Sequence, residues 1–165
     1  MRADVDRAGE IVRLAAEFDW TWSLEDQDLF YASAGWTVTE RWPSGTDIVT
    51  DLEVNQAAGR SFCLEGRLRY IEYRATDTLD ADDLESSELT KRWFVQLSQR
   101  ITSVLGLKPE PLLGMAVEFR WDHPRVVVFT CHRENYVYIT LVNPQHQEEE
   151  EYYDANIVTW NSGNS

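Results

Sequence analysis

Two groups of alternating, strand-like segments lie on either side of one long helical pattern, and this arrangement constrains the fold of the chain most strongly. The helical pattern covers Glu88–Leu105, where apolar residues recur every three or four positions. Ser87 is the expected N-cap, and Gly106 is the expected stop. Because strands come in groups and do not alternate singly with helices, the pattern predicts an α+β fold and not a doubly wound parallel sheet.

Two shorter helices are predicted before the first group of strands. The first covers Val5–Phe18, with Asp4 as its N-cap. The second covers Leu24–Ala34, begins after Ser23 and ends at Gly35.

Six strands are predicted from the alternation of apolar and polar residues. They are Trp36–Trp42, Ile48–Val54 and Phe62–Tyr70 before the long helix, and Met115–Trp121, Arg125–His132 and Tyr136–Val142 after it. Gly66 is expected to form a bulge inside the third strand. The predicted order is α-α-β-β-β-α-β-β-β, which gives a curved antiparallel sheet with helices on one face. Residues 1–145 are expected to form one α+β domain, followed by an acidic and aromatic extension at 146–165.

The extension opens with the segment HQEEEEYYDAN, His146–Asn156. Adjacent glutamates disfavour packing, so Glu148–Glu151 are predicted to be an exposed hinge. The apolar residues that follow predict a small terminal anchor, in which Ile157 or Trp160 is largely buried.

The charge of the chain narrows the class of partner. The net charge is −14, and the last 18 residues hold only five acidic residues and no basic ones, so the acidity is spread along the chain. Such a field repels nucleic acid, whose binding needs basic contacts to phosphate, and attracts a basic protein. No apolar run approaches the roughly 18 to 20 residues of a membrane span, and the N-terminus lacks the apolar region of a signal peptide. A cytoplasmic protein is therefore expected, with Cys63 and Cys131 as buried thiols.

Catalytic motifs are absent from the sequence. It contains no glycine-rich phosphate loop, GxSxG, CxxC or HExxH pattern, so no enzyme activity and no cofactor are predicted. Cys131, His132, Glu134 and His123 are the nearest approach to a metal cluster. Adjacent strand residues point to opposite faces, which argues against metal binding and against a cysteine–histidine catalytic pair.

Two further features have a structural and a functional interpretation. Four acidic residues before the long helix resemble part of a calcium loop but lack its glycine and terminal glutamate, so loop solvation is preferred; they are Asp80, Asp82, Asp83 and Glu85. The aromatic residues are interpreted as one edge of the core or as a binding surface; they are Trp20, Trp22, Trp36 and Trp42, and the stripe Tyr136 and Tyr138.

The segment RLAAEFDWTWSLEDQDLFYASAGW, Arg13–Trp36, resembles the opening of small actinobacterial cytosolic proteins of unknown function. The short, acidic α+β character of the whole chain is similar to that of immunity proteins of bacterial polymorphic toxin systems. It is similar, less closely, to that of acidic secretion chaperones. These resemblances imply no catalytic residues.

A non-enzymatic binding protein is therefore predicted, most concretely an immunity protein that blocks a basic toxin or secreted effector. A secretion or assembly chaperone and an enzyme with a cryptic site are the alternatives. The residues predicted to contact the partner are acidic or aromatic; they are Asp80, Asp82, Asp83, Glu85, Tyr136, Tyr138, Glu148, Glu149, Tyr152 and Tyr153.

Overall fold

The computed structural model describes residues 1–113, 117–133 and 135–163, and their side chains except those of 113 and 157–163. Four helices lie within these ranges: α1 (Val5–Glu17), α2 (Leu24–Ala34), α3 (Leu84–Leu105) and α4 (Pro144–Gly163). Eight strands lie there as well: β1 (Thr37–Trp42), β2 (Gly45–Val49), β3 (Ala58–Leu64), β4 (Arg67–Arg74), β5 (Glu110–Leu113), β6 (Val117–Asp122), β7 (Val127–His132) and β8 (Val137–Val142).

These strands form one antiparallel sheet in the order β1-β2-β3-β4-β8-β7-β6-β5. Each half of the chain contributes a four-stranded meander, and the pairing of β4 with β8 joins the two halves at the centre. The prediction of a mixed fold with an antiparallel sheet is confirmed, but the number of strands and their order differ from the prediction.

The prediction of a single strand at Phe62–Tyr70 is wrong. This segment contains parts of β3 and β4, and Gly66 lies in the hairpin turn between them. Glu65 and Gly66 both have positive φ, 54° and 74°. A two-residue turn with positive φ at both positions matches the right-handed twist of the flanking strands. Leu64 pairs with Arg67 and is 48% exposed, whereas Leu68 pairs with Cys63 and is fully buried, so the apolar residues on either side of the turn lie on opposite faces of the sheet. Their even spacing suggested one continuous strand.

Two other differences come from local chemistry. β5 was not predicted because Pro111 interrupts the strand pattern, but β5 is an edge strand, where proline is tolerated. α3 starts earlier than predicted, because the Asp83 carboxylate accepts a hydrogen bond from Glu85 N at 3.0 Å and is the N-cap in place of Ser87. The other predicted caps, Asp4 and Ser23, are confirmed.

Helices α1, α2 and α3 cover one face of the sheet and form the core with it. The predicted apolar stripe of α3 is buried there: Leu97 and Ile101 are fully inaccessible. Trp121 of β6 is equally buried, and its indole Nε1 donates to Thr102 Oγ1 of α3 at 3.1 Å. The core therefore lies between the sheet and these three helices.

The predicted exposure is confirmed for Glu148, Glu150 and Glu151, whereas Glu149 is half-buried. The predicted hinge is wrong, because all four residues belong to α4. Asn143 caps this helix, since its side-chain Oδ1 accepts from Gln145 N at 3.0 Å. Pro144 takes the first helical position, where its fixed φ and missing N–H are favourable. The Asn-Pro pair that ends β8 thus also starts α4. The predicted anchor residues, Ile157 and Trp160, lie outside the residues whose side chains are described.

Candidate binding groove on the open face of the sheet

The sheet face opposite α1–α3, here called the open face, carries a row of residues in which three of five are charged. Register places Arg60, Glu72, Thr140, Phe129 and Arg120 side by side across β3, β4, β8, β7 and β6. Arg120 lies on this face because its neighbour Trp121 points into the core. Two arginines therefore lie on this face of a chain whose net charge is −14.

Helix α4 is linked to the sheet by two ion pairs. Arg69 Nη1 donates to Glu149 Oε2 at 2.8 Å, and the Arg69 side chain is only 8% exposed. Arg120 pairs with Glu151. Two of the four adjacent glutamates are therefore fixed on arginines of the sheet.

Part of the open face forms a groove, here called the arginine–tyrosine groove. Its volume is about 460 Å³. Strands β1–β4, the start of β8 and the turn before β8 form its walls. Its charged and tyrosine side chains on this face are Asp47, Arg60, Glu72, Arg74, Arg133, Tyr136 and Tyr138.

Arg74 is held rigidly at the edge of this groove. Its guanidinium carbon lies 4.3 Å from the centre of the Tyr136 ring. Its Nη1 donates to Gln56 Oε1 at 2.6 Å and to Thr78 Oγ1 at 2.5 Å. These partners are neutral, so the positive charge of Arg74 is not compensated by a carboxylate in the described part of the chain.

Arg133 lines the same groove and lies beside the second ring of the tyrosine pair, Tyr138. Its guanidinium carbon lies 5.6 Å from the Tyr138 ring centre, and its Nη2 donates to Tyr138 OH at 3.4 Å. The rings of Tyr136 and Tyr138 are 5.9 Å apart. Burial raises the pKa of Tyr138, so its hydroxyl stays protonated at neutral pH. Within the described residues Arg133, like Arg74, makes no ion pair.

Arg60 differs because it is already neutralised. Its Nε donates to Glu72 Oε1 at 2.5 Å, and the Glu72 carboxylate raises the pKa of Arg60. A second depression of about 270 Å³ shares Asp47 and Arg60 with the groove. Because they share these two residues, the two depressions form a continuous surface. The second depression is lined by the aromatic side chains of Trp42, Phe62 and Tyr70.

The thiol and imidazole groups near the groove do not form a reactive pair. Cys131 faces the open side between Tyr138 and Glu118, whereas His132 faces α3 and its Nε2 lies 2.9 Å from Thr90 Oγ1. Burial raises the pKa of Cys131 to about 12, so the thiol is protonated and unreactive at neutral pH. Among the described residues, no group of three potential ligands could hold a metal ion. Glu134, one of the four residues considered as a metal cluster from the sequence, lies outside the described residues.

The predicted contact residues fall into three separate places. Tyr136 and Tyr138 lie together in the arginine–tyrosine groove. The acidic residues Asp80, Asp82, Asp83 and Glu85 lie at the start of α3, where Asp83 is the N-cap. The remaining residues lie on α4, where Glu149 is bound to Arg69 and both tyrosines are exposed; they are Glu148, Glu149, Tyr152 and Tyr153.

The sequence did not identify the arginines of the groove. Arg74 occupies an outward position of β4, whose inward residues Ile71 and Tyr73 are buried, and this alternation was the available signal. The interpretation of the tryptophans as an edge of the core is confirmed for Trp22 and Trp36, which are 6% exposed, and Trp20 packs against the core. Trp42 is 46% exposed beside the groove.

Comparison with known proteins gives a family without an assigned activity. Over the described residues, no helix has the length and apolarity needed to cross a membrane. No curated protein and no solved structure shows significant similarity to the chain. A match to the family of unknown function DUF6301 spans residues 6–143, from α1 to the cap of α4. The chain therefore belongs to the family of unknown function DUF6301.

Proposed function

We propose that this protein is a non-enzymatic protein-binding module whose partner docks on the arginine–tyrosine groove. The observation that supports this proposal is the side-chain composition of the open face. Arginine, tyrosine and tryptophan are the residues enriched at the energetic centres of protein interfaces. Here three arginines and two tyrosines line one groove, next to the aromatic depression of Trp42, Phe62 and Tyr70.

The chemistry around the groove supports binding and not catalysis. The nearby thiol of Cys131 is buried and protonated, and the nearest histidine, His132, faces the opposite side of the sheet. A nucleophile needs a base within hydrogen-bond reach, and the groove brings no such pair together among its described residues.

The most concrete version of the proposal is a bacterial immunity protein. A net charge of −14 would accelerate the encounter with a basic toxin, because long-range attraction raises association rates. The groove residues would then supply the close contacts that keep the complex together, and the bound domain would cover the active site of the toxin.

The test is a binding and inhibition assay with the purified toxin domain encoded next to this gene. Tyr136→Ala and Tyr138→Ala are expected to weaken binding by about tenfold or more each, as at interface centres. Val95→Ala is the matched control, since Val95 is exposed on α3, away from the open face. Full binding by both tyrosine variants would contradict the proposed surface. No binding of any neighbouring toxin would contradict the immunity role.

A chaperone that binds a partner by strand addition is the second candidate. β1 is an edge strand of the sheet, and all its residues except Val38 are exposed. An exposed edge is a template for an added strand. This role predicts that a bound partner slows amide exchange in β1, whereas docking on the groove slows exchange around Arg74 and Tyr136.

A further inference from the structure

We infer that Arg74 and Arg133 form a receptor for one carboxylate side chain, an aspartate or glutamate of the protein partner. This inference rests on the proposed protein-binding function, and it adds the chemistry that the groove recognises. It also predicts an acidic residue at the centre of a partner that is otherwise basic.

The first argument is the charge balance of the groove. Three arginines and two carboxylates line it, which leaves one uncompensated positive charge. Arg60 is paired with Glu72, whereas neither Arg74 nor Arg133 has a carboxylate partner among the described residues. In a chain with 29 acidic and 15 basic residues, arginines that share one groove and remain unpaired are available for an external anion.

The second argument is preorganisation. Arg74 is fixed by Gln56 and Thr78 and lies against the Tyr136 ring, so little side-chain freedom is lost when it binds a ligand. The guanidinium group is planar and presents paired N–H donors that match a carboxylate. The protonated hydroxyl of Tyr138, beside Arg133, can act as a further donor.

The third argument favours a carboxylate over a phosphate. A single carboxylate carries one negative charge, which equals the excess positive charge of the groove. A phosphate carries more charge and would meet Asp47 and Glu72 in the same groove, within an acidic protein. The aromatic depression next to the groove can bind apolar side chains of a protein partner beside the central ion pair. A carboxylate side chain belongs to such a partner.

The experiment is an NMR titration of the full chain with N-acetyl-glutamate N′-methylamide, which carries one side-chain carboxylate. The matched neutral probe is N-acetyl-glutamine N′-methylamide. The carboxylate probe is expected to shift the amide signals around Arg74, Arg133 and Tyr136 at millimolar concentrations, and the neutral probe is not.

Variants then test the two arginines separately. Arg133→Gln changes an exposed side chain and is expected to keep the fold. It should weaken the affinity for the carboxylate probe about three- to fivefold, as for exposed ion pairs. Arg74→Gln is expected to weaken the affinity for this probe by at least as much. Arg92→Gln on α3 is the control, because Arg92 is exposed and lies outside the groove.

Equal shifts with both probes would overturn the inference, as would unchanged affinity in Arg133→Gln. Tighter binding of inorganic phosphate than of the carboxylate probe would also overturn it. The titration needs no protein partner. Probe binding at the groove without any toxin binding would refute the immunity role alone, and toxin binding that ignores both arginines would refute the carboxylate receptor alone.

Discussion

The ion pair between Arg69 and Glu149 is predicted to hold α4 against the sheet, and Glu149→Gln tests this. Arg69 lies on β4 with an 8% exposed side chain, and Nη1 is 2.8 Å from the Glu149 carboxylate. The Nε of Arg69 has no hydrogen-bond partner in the described residues. Glu149 therefore provides most of the compensation for burying the guanidinium charge. The substitution keeps the size of the side chain but removes the negative charge.

The magnitude follows from the exposure of the two groups. A hydrogen bond to a charged group contributes about 1.5–3 kcal/mol. The Glu149 side chain is 44% exposed, and solvent screening places this pair at the lower end, about 1.5 kcal/mol. Opening of α4 should therefore become about tenfold more frequent.

Amide hydrogen exchange across residues 146–156 measures this opening, and exchange there is expected to be about tenfold faster in Glu149→Gln. The matched control is Glu148→Gln, because Glu148 is the exposed neighbour on the same helix and makes no ion pair in the described residues. Arg69→Gln with and without Glu149→Gln completes a double-mutant cycle. Equal exchange in both glutamate variants would refute the reasoning, as would additive effects in the cycle.

Three further predictions concern stability, which urea unfolding measures. Asp26→Ala should lower the free energy of unfolding by about 2 kcal/mol, because the buried Asp26 carboxylate accepts from Thr21 N at 2.5 Å and from Trp22 N at 2.9 Å. The surface substitution Asp28→Ala on the same helix should lower it by less than about 1 kcal/mol. Equal losses would contradict this account. Gly66→Ala should cost about 1 kcal/mol, since alanine is strained at a φ of 74°, and an unchanged midpoint would exclude the proposed turn. Burial raises the pKa of Cys131 from 9.0 to about 12, so the thiol ionises at lower pH in the unfolded chain than in the folded one. Its contribution to the free energy of unfolding is therefore complete below pH 9 and is lost as pH rises toward 12. Cys131→Ala should reduce this alkaline loss of stability, and an unaltered pH dependence would count against the prediction.

The sequence predicted the elements that depend on local chemistry. The caps Asp4 and Ser23 and the stops Gly35 and Gly106 are confirmed, because each is set by a hydrogen bond or a positive φ within a few residues. The hairpin at Gly66 was missed because Leu64 and Leu68 are spaced as if they shared one face of a single strand, whereas the turn places them on opposite faces.

The acidic helix was missed for a different reason. Four adjacent glutamates indicate an exposed segment when they are considered alone, but the arginines that bind Glu149 and Glu151 lie on β4 and β6. Such long-range pairs depend on strand order, and the pairing of β4 with β8 could not be read from the spacing of residues.

The groove was only half predicted, for the same reason. Tyr136 and Tyr138 were visible as an amphipathic stripe on one strand. Arg74 is 64 positions from Tyr138 in the chain and becomes its neighbour only because β4 pairs with β8.

The most direct test of the central claim, that the partner docks on the arginine–tyrosine groove, is the dissociation constant of the neighbouring toxin domain for Arg74→Gln/Arg133→Gln. Two charge-assisted contacts at an interface centre predict affinity at least about tenfold weaker than that of the wild type. Arg92→Gln should bind like the wild type. Equal affinities for the double variant and the wild type, with the fold intact, would contradict the assignment of this groove as the binding surface.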